Sequence, residues 1–102
     1  MYSSLIDFST KQAVTLKKRQ AKMYLQRQCK HFSHKVEVKY NETDALITFE
    51  EGICIMKANH QALYLRCEAN NPSDLKEITD TMDRHMEGFA RGETFDMQWQ
   101  DL

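Results

Sequence analysis

The side chains best suited to chemistry lie in one stretch, Cys29-Lys30-His31-Phe32-Ser33-His34-Lys35. Imidazole titrates near neutral pH and ligates transition metals, so this stretch can take up protons, contact an anion or hold a metal. On a helix, His31 and His34 stand about 60° apart and can share a metal if a third donor joins them. Cys29 is not that donor, because a Cys-x-His spacing points the two side chains about 160° apart. His85 lies on a second helix. If the two helices run antiparallel, His85 is roughly 20 Å along its helix and far from His31. That arrangement sets His31 near Asp74 or Glu77. No metal site built from protein ligands alone is therefore expected. The simplest role for His31 and His34 is to cap helix carbonyls and pair with carboxylates. The competing role is contact with an anion.

Charge supports the anion. Residues 11–39 hold nine Lys/Arg and one acid, Glu37, whereas residues 40–102 hold five Lys/Arg and thirteen Asp/Glu. The formal net charge of −1 hides this division. Arg27, Lys30, His31, His34 and Lys35 form the candidate ligand-binding set. The same cations suit phosphates, but nucleic-acid readers add stacking aromatics or a known motif, and Tyr24 is the one aromatic near the basic face. Nucleic acid is not expected. The plainer reading packs the basic helix beside the acidic second one, with solvated faces worth little per pair.

Other chemistry is missing from the sequence. It has no Gly-x-Ser-x-Gly, P-loop, dinucleotide fingerprint or His-Glu-x-x-His, so neither a self-contained enzyme nor a cofactor is expected. Three cysteines, Cys29, Cys54 and Cys67, form an odd set without a CxxC pair and read as reduced, buried thiols. Met82, Met86 and Met97 read as soft core filler. No apolar run approaches the roughly 20 residues of a membrane span, and Met1–Thr10 lacks the pattern of a signal peptide. The expected setting is the cytoplasm, away from membranes.

The elements that must position these groups follow from periodicity. Residues 12–16 read as a strand. Lys18–Ser33 read as an amphipathic helix with the apolar stripe Ala21, Leu25, Cys29 and Phe32. Val36–Tyr40, Ala45–Phe49, Ile53–Ala58 and Leu63–Ala69 read as four strands in a meander. The third of these is apolar at nearly every position and so reads as central. Asn71, Pro72 and Asp74 open a second helix with the stripe Leu75, Ile78, Met82, Met86 and Phe89. Phe95, Met97 and Trp99 read as a last strand. The order is β-α-β-β-β-β-α-β, an α+β fold with both helices on one face of a largely antiparallel sheet, in the manner of helix-grip or TATA-binding-protein-like folds. Residues 1–11 read as an extension and 12–102 as one domain. The expected core holds Leu25, Cys29, Phe32, Ile47, Phe49, Ile55, Leu65, Leu75, Met82, Phe89 and Trp99.

The block Cys29-Lys30-His31-Phe32-Ser33-His34-Lys35-Val36, with Arg84-His85 and Phe89, resembles the bacterial domain-of-unknown-function family 2218 over about residues 12–100. The resemblance implies no activity and no catalytic residue. It implies a context, because similar domains occur beside or fused to siderophore-interacting flavin reductases. The expectation is a binding or accessory domain in iron uptake, with a ferric siderophore or such a reductase as partner. The alternative is a homodimeric or partner-interaction module without a small ligand. A polar pocket beside His31 would favour the first, and an apolar patch on the open sheet face the second.

Overall fold

The computed structural model describes residues 10–89, with side chains to Met86, and residues 97–102. In chain order the elements are β1 (Thr10–Leu16), α1 (Ala21–Phe32), β2 (Glu37–Tyr40), β3 (Asp44–Thr48), β4 (Gly52–Ala58), β5 (Leu63–Ala69), α2 (Pro72–Phe89) and β6 (Gln100–Asp101). This is the expected order. The sheet runs β2-β3-β4-β5-β1-β6, antiparallel at every step, with β4 inside it.

Local chemistry makes the turns. Asn41 Oδ1 accepts from the amides of Thr43 and Asp44 at 2.9 and 2.8 Å, closing the β2–β3 hairpin. Asn59 does the same for Gln61 and Ala62 between β4 and β5, at 2.8 and 2.9 Å. Such Asx turns offer the backbone a partner where the ladder stops. Asn71 Oδ1 accepts from the Asp74 amide at 2.8 Å, so α2 starts on its expected cap.

Helix α1 begins three residues later than expected. Lys17, Lys18, Arg19 and Gln20 offer no capping hydroxyl or carboxylate, and Gln20 makes no side-chain cap bond. Cations are also unfavourable at the positive end of a helix. Strand β1 begins two residues sooner than expected, because Thr10 and Lys11 continue the ladder against Ala69 and Glu68. Among the described residues the last strand is Gln100–Asp101, and Met97–Trp99 precede it outside any strand. Met97 and Trp99 pack half-buried against the core, and the Trp99 indole donates to Asp83 on α2 at 3.0 Å. Phe95 and the Phe89 side chain lie outside the described residues.

Both helices cover one sheet face. Val14, Ala45, Ile47, Cys54, Met56, Leu65 and Cys67 are buried beneath them. Helix α1 lies over β2 to β5, and α2 over β4, β5 and β1. Leu25, Cys29, Phe32, Ile47, Leu65, Leu75 and Met82 are core residues as expected, and Phe49 is partly buried. Ile55 is not one of them. Its register partners are Leu46 and Arg66, and the pleat turns all three to the open face while Cys54 and Met56 point inward.

The three cysteines are free and buried together. Cys54 and Cys67 are cross-strand partners. A hydrogen bond with Cys67 and then burial hold the Cys54 thiol well above its ordinary range, and burial pushes Cys29 up to about 11. A thiol held protonated is a poor nucleophile. Ellman's reagent at pH 8 should therefore find no reactive thiol in the native protein and three after denaturation. A fast-reacting native thiol would show that one of them serves chemistry.

Candidate functional site

Residues Arg27 to Lys35 form the last turns of α1 and the bend that follows. Arg27, Lys30, His34 and Lys35 are exposed, and His31 is half-buried. The spacing explains this, because Phe32 and Cys29 take the core side of the helix and leave the cations outside. Among the described residues no ion pair engages Arg27, Lys30 or Lys35.

A helix C-terminus ordinarily exposes carbonyls and repels anions. Here the carbonyls are occupied. Cys29 O accepts from the Ser33 amide at 2.9 Å, Lys30 O from the Ser33 hydroxyl at 2.8 Å and His31 O from the His34 amide at 3.3 Å. Phe32 O accepts from the amides of Lys35 and Val36, both at 2.9 Å. The potential at this end is therefore set by side-chain cations.

His31 does not face Asp74 or Glu77. Its ring lies 5.1 Å, centroid to centroid, from that of His85, with the planes 53° apart. The ring of Phe32, 2% exposed, lies 4.4 Å from His85 and 6.1 Å from His31. The expected separation of the histidines fails because each helix lies across several strands. The two meet where the last turns of α1 reach the later turns of α2. Gln28 marks the same seam, since its Nε2 donates to Met86 Sδ at 3.0 Å. Gln28 is fully buried, and its Oε1 has no hydrogen-bond partner among the described residues.

His85 Nδ1 lies 2.8 Å from the Thr81 carbonyl, which can only accept, so Nδ1 is the donor of this bond. Desolvation, followed by repulsion from His85, Lys35 and His34, holds His31 below the ordinary imidazole value. Among the described residues no three His, Cys, Asp or Glu side chains gather as a metal site. Tyr24 is buried, which removes the one aromatic the basic face could have offered to a base.

A concavity of about 520 Å³ lies between α2 and the β1–β6 edge, lined among others by Lys11, Asp80, Asp83, Trp99 and Asp101. It contains none of the expected binding residues. No described helix is long and apolar enough to cross a membrane.

A family described as uncharacterised proteins conserved in bacteria, DUF2218, matches residues 13–100. The chain belongs to this family. No curated protein matches. An NMR structure of PA4090 from Pseudomonas aeruginosa is similar, with a TM-score of 0.70 and 24% identity over 91% of this chain and 95% of that one. That likeness extends the α+β architecture to another chain and carries no activity with it. Within the family match fall all five expected ligand-binding residues and the partners that sequence reading did not bring to them, His85 and Gln28. Their sequence signal is slight. His85 adjoins Met86 on the buried stripe of α2, and Gln28 lies one turn before Phe32.

Proposed function

We propose that the protein is a small binding domain that takes an anionic ligand on the cationic end of α1. One observation carries the reading: Arg27, Lys30, His34 and Lys35 are all exposed on the last turns of α1 and the bend after it, around the half-buried ring of His31. Arg27 and Lys30, exposed and outside any described ion pair, carry positive potential over the last turns. The half-buried rings of His31 and His85 lie beside the cations. A polyanionic, ring-bearing ligand such as a ferric catecholate siderophore suits both features, which keeps the domain's place in iron uptake within this proposal. A reductase would then act as the partner that receives the loaded domain.

Ligand charge and His31 protonation reinforce one another. His31 gains its proton below the ordinary value of about 6.5, so affinity should rise as pH falls from 7.5 to 5.5. It should fall with salt, because exposed charges are screened over about 8 Å at physiological ionic strength. Calorimetric titration with ferric catecholate and hydroxamate complexes is the test. The Lys30→Glu/His31→Ala variant should bind at least about tenfold more weakly, a change of about 1.4 kcal/mol. Equal binding by the variant, or no binding tighter than about 100 μM, removes this reading.

A second reading has one observation in its favour. Leu46, Ile53 and Ile55 are half-exposed on the open sheet face, and Tyr64 beside them is 41% exposed. That surface suits a second copy of the chain. A sedimentation mass of a dimer that reverts to the monomer in Ile55→Lys would put this reading first.

A further inference from the structure

We propose that strand β2 pairs with β2 of a second copy of this chain, in the one register that sets Glu37 of each copy opposite Lys39 of the other. Among the described residues β2 closes one end of the sheet. Its side chains report open space beside it, since Tyr40 is 43% exposed and the side chains of Glu37 and Lys39 are 65% and 77% exposed. The hydrogen bonds fix which backbone groups reach that space. The Asn41 amide donates to the Asp44 carbonyl at 2.9 Å, so Asn41, Lys39 and Glu37 turn their backbone groups toward β3. Alternation along an antiparallel ladder then turns the N–H and C=O of Val38 and Tyr40 outward. Val38 and Tyr40 point their side chains to the helix side with Ile47 and Ala45, whereas Glu37 and Lys39 stand on the open face.

The sequence of this edge is complementary to itself. With Val38 opposite Val38 of the second copy, the two exchange both backbone hydrogen bonds. Glu37 then faces Lys39 twice across the two-fold axis, and Tyr40 faces Val36 twice. The outward groups allow other registers only in steps of two residues. One such step sets Glu37 opposite Glu37, and the step the other way sets Lys39 opposite Lys39. These facing residues form non-hydrogen-bonded pairs about 4.5 Å apart at Cα, where unlike charges stabilise and like charges destabilise. Within one copy Lys39 Nζ already lies 4.0 Å from Glu37 Oε2, so pairing closes a ring of four alternating charges. A lysine on an edge strand ordinarily blunts pairing. Here Glu37 answers it for this chain in this register, and the same charges turn other strands away. The cationic ends of α1 do not oppose the contact. Antiparallel pairing sets Lys35 opposite Asn41, which leaves the two Lys35 positions roughly 20 Å apart along the strands, beyond the screening length of about 8 Å. The pairing is independent of anion binding at α1, and it uses a different surface from the open sheet face. Four strand residues per copy make a short interface, so association belongs to the weak, reversible class.

The test is sedimentation equilibrium of the full chain from about 10 μM to about 1 mM, the range in which weak dimers form, with amide exchange by NMR on the same samples. The mass should rise from monomer to dimer, and the Val38 and Tyr40 amides should gain protection with concentration. Glu37→Lys and Lys39→Glu should each weaken self-association at least tenfold, because each sets like charges opposite. The double variant Glu37→Lys/Lys39→Glu should regain the wild-type affinity. An equimolar mixture of the two single variants should form a heterodimer, since every facing pair is then unlike in charge. Both positions are exposed, so melting temperatures should stay near that of the wild type. A monomer at every concentration overturns the proposal. So does a dimer indifferent to both single variants, or a double variant that stays monomeric. A dimer lost in Ile55→Lys but kept in Lys39→Glu also overturns it, and places the contact on the open face instead.

Discussion

Gly52→Ala is expected to lose about 3 kcal/mol of stability, an effect large for one methyl group. Gly52 opens β4 opposite Ala69, on the face covered by α2. A Cβ there would overlap the Glu68 carbonyl oxygen, with Ile78 Cδ1 at 2.9 Å and the Ala69 Cα at 3.1 Å. The Ile78 methyl can rotate away. The backbone of Glu68 and Ala69 cannot, because it belongs to β5, which is paired on one side with β4 and on the other with β1. Relief requires the first residues of β4 to part from β5 under the start of α2. Overpacking of this kind costs about 1–3 kcal/mol, with the upper end reached when backbone must move. A urea melt reads the change as a lower midpoint at constant slope. A loss under about 1 kcal/mol would show that β4 and α2 are not so closely packed.

Phe32→Ala should cost about 3–5 kcal/mol, the range for emptying a buried aromatic site. Phe32 is 2% exposed and packs edge-on to Phe49 at 5.6 Å, between centroids, and against His85 at 4.4 Å. It therefore joins α1 to the turn after β3 and to α2 at once. The same substitution should abolish binding of an anionic ligand under conditions where the variant is still folded, because His31 and His85 lose their common backing. Phe32→Leu, which keeps most of the volume, should cost under about 1.5 kcal/mol and retain part of the affinity. A chemical melt and a titration on the same samples separate the two effects. Full affinity in folded Phe32→Ala would detach the ring cluster from function and leave only the exposed cations.

The local features of this protein were determined by sequence alone. Period-two alternation, Asn at three turn or cap positions and Pro72 at a helix start act within a few residues, so the element order and the start of α2 were legible without a structure. The exposure of Arg27 and Lys30 was legible too, since both lie off the apolar stripe of α1. The stripe itself is wider than it reads. Tyr24 and Gln28 are buried along with Ala21, Leu25, Cys29 and Phe32, because α1 abuts α2 as well as the sheet. Ile55 shows the same limit from the other side, since an apolar residue in a strand that is apolar at nearly every position carries little mark of which face is covered. The pairing of His31 with His85 belonged entirely to the tertiary structure. Periodicity describes each helix about its own axis. It contains nothing about the angle at which two helices cross a twisted sheet, and that angle decides which of their turns touch.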